Sequence, residues 1–156
     1  MSNPEKRAPI LVLGIGNILL RDEGVGVRLI EAMRGMALPP GVELVDGGTA
    51  GADLLDIISN RRKVFVIDAV DAGLEPGAIL RLHVEDLASA GRPLVSLHEI
   101  ALTEALAAAQ IIGSMPDEVI IWGVQPKSVS PDDTLSEEVA SAMPQLIERI
   151  IAELAR

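Results

Sequence analysis

The sequence predicts an α/β fold: a three-layer α/β/α sandwich on a mostly parallel, twisted sheet of about five strands, with one edge strand antiparallel. Three observations carry this. The runs Ile10–Leu13, Val64–Ile67 and Val119–Val124 are apolar without alternation, as strands buried on both faces are. The stretches between them place apolar residues at helical spacing, which gives the covering layers. Ala78–Val84 instead alternates, with Ile79, Arg81 and His83 interleaved with Leu80, Leu82 and Val84, as an edge strand with one wet face does.

In chain order, the first run ends at Gly14, Gly16 and Asn17, passes through Ile18–Leu20, and reaches Arg21, Asp22 and Glu23. Helical spacing starts at Val25 and continues through Leu29, Ala32 and Met33 to about Gly35. After Pro39 and Pro40 comes a second strand, Val42–Val45, and then a glycine-dense turn at positions 46–51. A second helix is expected near Ala52–Ser59, followed by the cations Arg61, Arg62 and Lys63. Pro76-Gly77 turns into the edge strand, and a polar connector then leads to His98. The helix after His98 carries Leu102, Ala105, Leu106 and Ala109 on one face. The last strand ends at Gln125-Pro126. Ser136 is placed to cap a final helix, which Pro144 should kink or split.

At 156 residues the chain reads as one domain, 1–156, and contains no internal repeat. A net charge of −10 with one Phe, one Trp and no Tyr argues against nucleic acid, which needs clustered cations and stacking surfaces. The absence of cysteine excludes disulfides, a thiolate nucleophile and thiolate metal sites. Lys6 and Arg7 precede an apolar run, but Gly14, Gly16 and Asn17 interrupt it before a signal-peptide or membrane-span length is reached. A cytoplasmic protein with no membrane association is expected.

Parallel α/β sheets bind ligands beyond the carboxyl ends of their strands. Glu23, the 46–51 turn and Asp68 all follow such strands, and His98 opens a helix leading to the same side. A glutamate, an aspartate and a histidine form a mixed O/O/N donor set for a divalent transition metal. The same acids could instead cap the helices that follow them, and spacing leaves both readings open. His83, on a half-exposed strand, is the weaker histidine. Gly14-x-Gly16 lacks the third glycine of a dinucleotide fingerprint, because Leu19 stands there. His98-Glu99 lacks the second histidine of a zinc-protease helix, because Leu102 stands there. No nucleophile elbow or Walker loop is present.

Taken together, Gly14-Ile15-Gly16-Asn17, Asp22-Glu23-Gly24-x-Gly26, Asp46-Gly47-Gly48-Thr49-Ala50-Gly51, Asp68-Ala69, His98 and Gly123-Val124-x-Pro126 resemble the [NiFe]-hydrogenase maturation endopeptidases, in order over residues 10–154. The resemblance implies removal of a C-terminal peptide from the precursor of the hydrogenase large subunit once nickel is in place. It puts the metal-contacting positions on Glu23, Asp68 and His98. The nickel would be the substrate's own, and Asp68 and Glu23 would serve catalysis. Asp46, Gly47, Gly48 and Thr49 are the expected substrate contacts, from their glycine content and rim position, and a monomer is expected. Rival readings are a non-catalytic nickel carrier and a degenerate nucleotide-binding module.

Overall fold

The computed structural model describes residues 7–48, 53–89 and 97–156. Strands β1 (Ile10–Ile15), β2 (Val42–Gly48), β3 (Lys63–Ala69), β4 (Ile79–His83) and β5 (Glu118–Val124) form one sheet in the order β2-β1-β3-β5-β4. All neighbours are parallel except β4, which runs antiparallel to β5 at the edge. The expected sandwich is therefore present.

Alternation within the buried strands divides the core into two halves. On one face Ile10, Val12, Phe65, Ile67, Ile120 and Trp122 pack against α1 (Val25–Met33) and α5 (Glu137–Leu154). On the other, Leu11, Leu13, Val64, Val66, Val119 and Ile121 meet α2 (Leu54–Ile58) and α4 (Leu97–Ile112). Strands with apolar side chains on both faces need a helix layer on each side, which is why no polar alternation was visible in them. Among the described residues no helix is long and apolar enough to cross a membrane.

Four elements differ from the sequence reading. β2 continues to Gly48, so Asp46, Gly47 and Gly48 belong to a strand and not to a loop, whereas Thr49 lies outside the described residues. The cause is a register shift at Gly14/Ile15, which pairs Ile15 with Gly48 and keeps the ladder going. A short helix, α3 (Val84–Ser89), stands where a polar connector was expected. α2 begins at Leu54 and is a single turn and a half, while the expected start at Ala52 lies outside the described residues. Of the kink or split expected at Pro144 the split is absent, since α5 runs as one helix through it. Its buried stripe of Val139, Leu146, Ile150 and Leu154 holds both halves on the sheet, and Pro144 sits on the exposed side.

The parallel strands bring their carboxyl ends to one rim. A 3-10 turn, Arg21–Gly24, and the beginnings of α4 and α5 lie at that rim.

Candidate functional site

The site begins with how closely α1 enters the sheet. A Cβ on Gly26 would stand 2.2 Å from the Ile67 carbonyl oxygen, and one on Gly14 would stand 2.2 Å from the Gly26 carbonyl oxygen. Only glycine permits that approach. The glycines that could have suggested a phosphate loop are thus filled by protein backbone. Gly16, at φ +132°, does the same for the 3-10 turn: a Cβ there would lie 1.9 Å from the Glu23 carbonyl oxygen and 3.6 Å from Asp68 Oδ1. The backbone of Glu23 and the carboxylate of Asp68 therefore border the same point at the end of β1.

Asp68, near the end of β3, is 4% exposed, and its Oδ1 accepts from the Ala69 backbone N–H at 2.8 Å. Glu23 reaches from the 3-10 turn to the start of α4, where its Oε1 lies 2.8 Å from His98 Nε2. The side chains are 13% and 19% exposed for His98 and Glu23, enough to be reached by a partner yet largely shielded from water. Glu23 does not cap α1, whose N-cap is Gly24 and which receives no side-chain bond there. Among the described residues, no three His, Cys, Asp or Glu side chains are gathered closely enough to hold a single ion. His83 is exposed and paired opposite Ile120 near the start of β5, so it belongs to the other rim. That agrees with its reading as an ordinary strand residue.

Beside this pair opens a cavity of about 260 Å³, lined by Glu23, Ala69, Asp71, Glu99, Gln125 and residues of the loop after β5. Glu99 also lines a second, one-water-sized cavity of about 10 Å³ that contains Asp68. The wall between Glu23 and Asp68 is thus partly Glu99, a residue 7% exposed.

Two residues shape the cavity that sequence reasoning did not single out. Asp22 is fully buried, and its carboxylate accepts from the backbone N–H of Lys127 (2.8 Å), Ser128 (3.0 Å) and Ser136 (2.8 Å) and from the Ser136 hydroxyl (2.9 Å). Burial pushes its pKa up, but these four donors outweigh burial and hold it below the ordinary carboxylate value. Nothing in the one-dimensional pattern separates Asp22 from its neighbour Glu23, although their roles are opposite. Gln125 Oε1 accepts from the N–H groups of Ala72 (2.8 Å) and Leu74 (3.1 Å), while its Nε2 donates to Asp71 Oδ1 (3.1 Å). It fixes the loop after β3 as one cavity wall. A buried amide directly after an apolar strand was the available signal.

Chemically, the rim offers an imidazole and several carboxylates around a water-accessible space, with no cysteine in the chain. That set suits acid–base and metal-contacting chemistry and excludes thiolate catalysis.

Comparison with known proteins gives the family. A family model described as hydrogenase maturation protease matches residues 27–153. The chain is 37% identical over 147 residues to a hydrogenase 2 maturation protease of Escherichia coli, covering 93% of this chain and 90% of that one. It is 34% identical over 156 residues to a putative hydrogenase maturation protease of Methanocaldococcus jannaschii, covering 97% and 99%. The structure of the hydrogenase maturating endopeptidase HybD from Escherichia coli superposes with a TM-score of 0.86 at 36% identity, covering 94% of this chain and 91% of that one. The chain belongs to the hydrogenase maturation protease family, and is a peptidase of that family.

Proposed function

We propose that this protein removes the C-terminal peptide from the precursor of the [NiFe]-hydrogenase large subunit after nickel insertion, and that it recognises the nickel the substrate carries. The observation that carries the reading is the 2.8 Å contact between Glu23 and His98 beside the 260 Å³ cavity. An imidazole nitrogen and a carboxylate oxygen held against each other are two donors that an arriving cation can separate and bridge. Asp68, at the end of the neighbouring strand, is proposed as the third, to be reached by the ion once the Glu23–His98 contact opens. A precursor without nickel would leave the Glu23–His98 pair closed, so the metal acts as a signal of maturity.

In the hydrolysis, Asp68 accepts a proton from water while the water oxygen bonds to the carbonyl carbon of the scissile peptide. The carbon–nitrogen bond then breaks, and the proton passes to the departing amine. The products are a shortened large subunit ending in a carboxyl group and a free peptide. Glu23 assists by holding the substrate's metal and with it the scissile bond. Asp46, Gly47, Gly48 and Thr49 are proposed to contact the precursor, which acts as a separate, soluble partner of a cytoplasmic, monomeric enzyme.

Purified nickel-loaded precursor incubated with this protein should lose a defined C-terminal mass, whereas nickel-free precursor should not. Nickel transfer with no change in precursor length would instead establish a carrier.

A further inference from the structure

Seven large apolar side chains are well exposed among the described residues, and their distribution is uneven. Leu19, Leu74, Ile100 and Val129 belong to segments that border the large cavity. Val129 lines it, Ile100 follows Glu99 in its wall, and Leu74 lies on the loop that Gln125 holds. Leu19, 63% exposed, and Val129, 49% exposed, stand on two loops that are stitched together. Asp132 donates its N–H to the Leu19 carbonyl (3.0 Å), Arg21 donates to the Asp132 carbonyl (2.8 Å), and Asp22 donates to the Ser128 carbonyl (3.1 Å). The Arg21 guanidinium pairs with the Asp132 carboxylate at 2.8 Å, and the buried Asp22 side chain clasps Lys127 and Ser128. An apolar lip this firmly tied is ordered before any partner arrives, which lowers the entropic cost of docking on it.

Single exposed apolar residues are ordinary, so location decides the question. Resting on the function proposed above, we infer that the Leu19–Val129 lip is the seat for the folded body of the precursor, whose tail enters the adjoining cavity. A protein occupant follows from continuity. The lip continues the cavity wall, since Val129 lines the cavity and Leu19 stands beyond its lining. Its rim is polar, with Lys127, Ser130 and Asp132 beside the apolar pair, which is the anatomy of a protein–protein contact. Ile111 and Ile112, at the far end of α4, are more exposed still and serve as the internal comparison.

The test measures binding of nickel-loaded precursor to the Asp68→Asn protein by titration calorimetry, and processing by proteins with Asp68 intact. Leu19→Ser, at the part of the lip outside the cavity lining, should weaken binding by about fivefold or more and raise KM by a similar factor, with single-turnover cleavage at saturating enzyme unchanged. Ile111→Ser/Ile112→Ser should leave both at the parent value. Unchanged binding in the lip variant, or equal weakening in both, overturns the docking site while leaving the protease assignment intact. Failure of the unmutated protein to cleave or bind the precursor overturns both.

Discussion

His98 Nε2 lies 2.8 Å from Glu23 Oε1, joining the first turn of α4 to the turn that follows β1. The contact links α4, on one face of the sheet, to the 3-10 turn that leads into α1 on the other, at the rim where the parallel strands end. Glu23→Gln retains a hydrogen-bonding oxygen for His98 but loses the charge. It should fold normally and lose processing of nickel-loaded precursor by about a hundredfold or more, as should Asp68→Asn and His98→Ala. Mass spectrometry of the precursor reads the cleavage and thermal unfolding reads the fold. Full activity in any variant removes that residue from the site.

Asp22 should matter for stability. Asp22→Ala leaves four donors, two of them buried and two part-buried, without their acceptor and should cost about 3 kcal/mol in urea unfolding at pH 7. The sign of the pH dependence follows from a folded-state pKa below the unfolded one. The carboxylate's contribution is fully present above the unfolded value of about 3.9. It is lost as pH falls through the lower folded value. The gap between wild type and Asp22→Ala should stay constant from neutral pH to about pH 5 and narrow below about pH 4. A constant gap down to acid pH contradicts the clasp.

Gly47 and Gly48 should respond differently to bulk. A Cβ at Gly47 would lie 2.8 Å from Leu13 Cδ1 in the core, so Gly47→Leu should unfold the sheet edge. At Gly48 the nearest atom would be Asp46 Oδ1 at 3.5 Å, and the only penalty is φ +44°, about 1–2 kcal/mol. Gly48→Leu should therefore give native-like circular dichroism and block cleavage. Cleavage at the wild-type rate rules out precursor contact at this position.

Pro144 interrupts the hydrogen-bond ladder of a continuous α5 on its exposed side. Pro144→Ala restores a donor without disturbing the buried stripe and should raise stability, by up to about 3 kcal/mol. Calorimetric melting checks this. A lowered Tm means that the helix is shaped around the proline.

The sheet was legible because apolar runs without alternation leave few alternatives to a buried parallel strand, and the period of two in Ile79–His83 marked the antiparallel edge. α3 was hidden because Val84 continued the strand's alternation and the acids after it resemble any solvated connector. The end of β2 was hidden because glycines that read as a turn are held in the ladder by a register shift belonging to β1. Glu23, Asp68 and His98 were expected at one rim from chain position relative to strand ends, and of these Glu23 and His98 meet there at 2.8 Å. The clasp at Asp22 was not expected, since its partners Lys127, Ser128 and Ser136 are far away in sequence and only the folded chain brings them together.

The packing at Gly14, Gly16 and Gly26 bears on how this scaffold can be altered. With no room for a methyl group between α1, the 3-10 turn and the ends of β1 and β3, the spacing between the backbones that carry the two acids is set by main chain wedged against main chain. No change of side chain alone retunes it. The imidazole arrives on a different helix, across the sheet from α1, so adapting the scaffold to a differently sized ion would be a matter of sliding α4 while the acidic pair stays fixed.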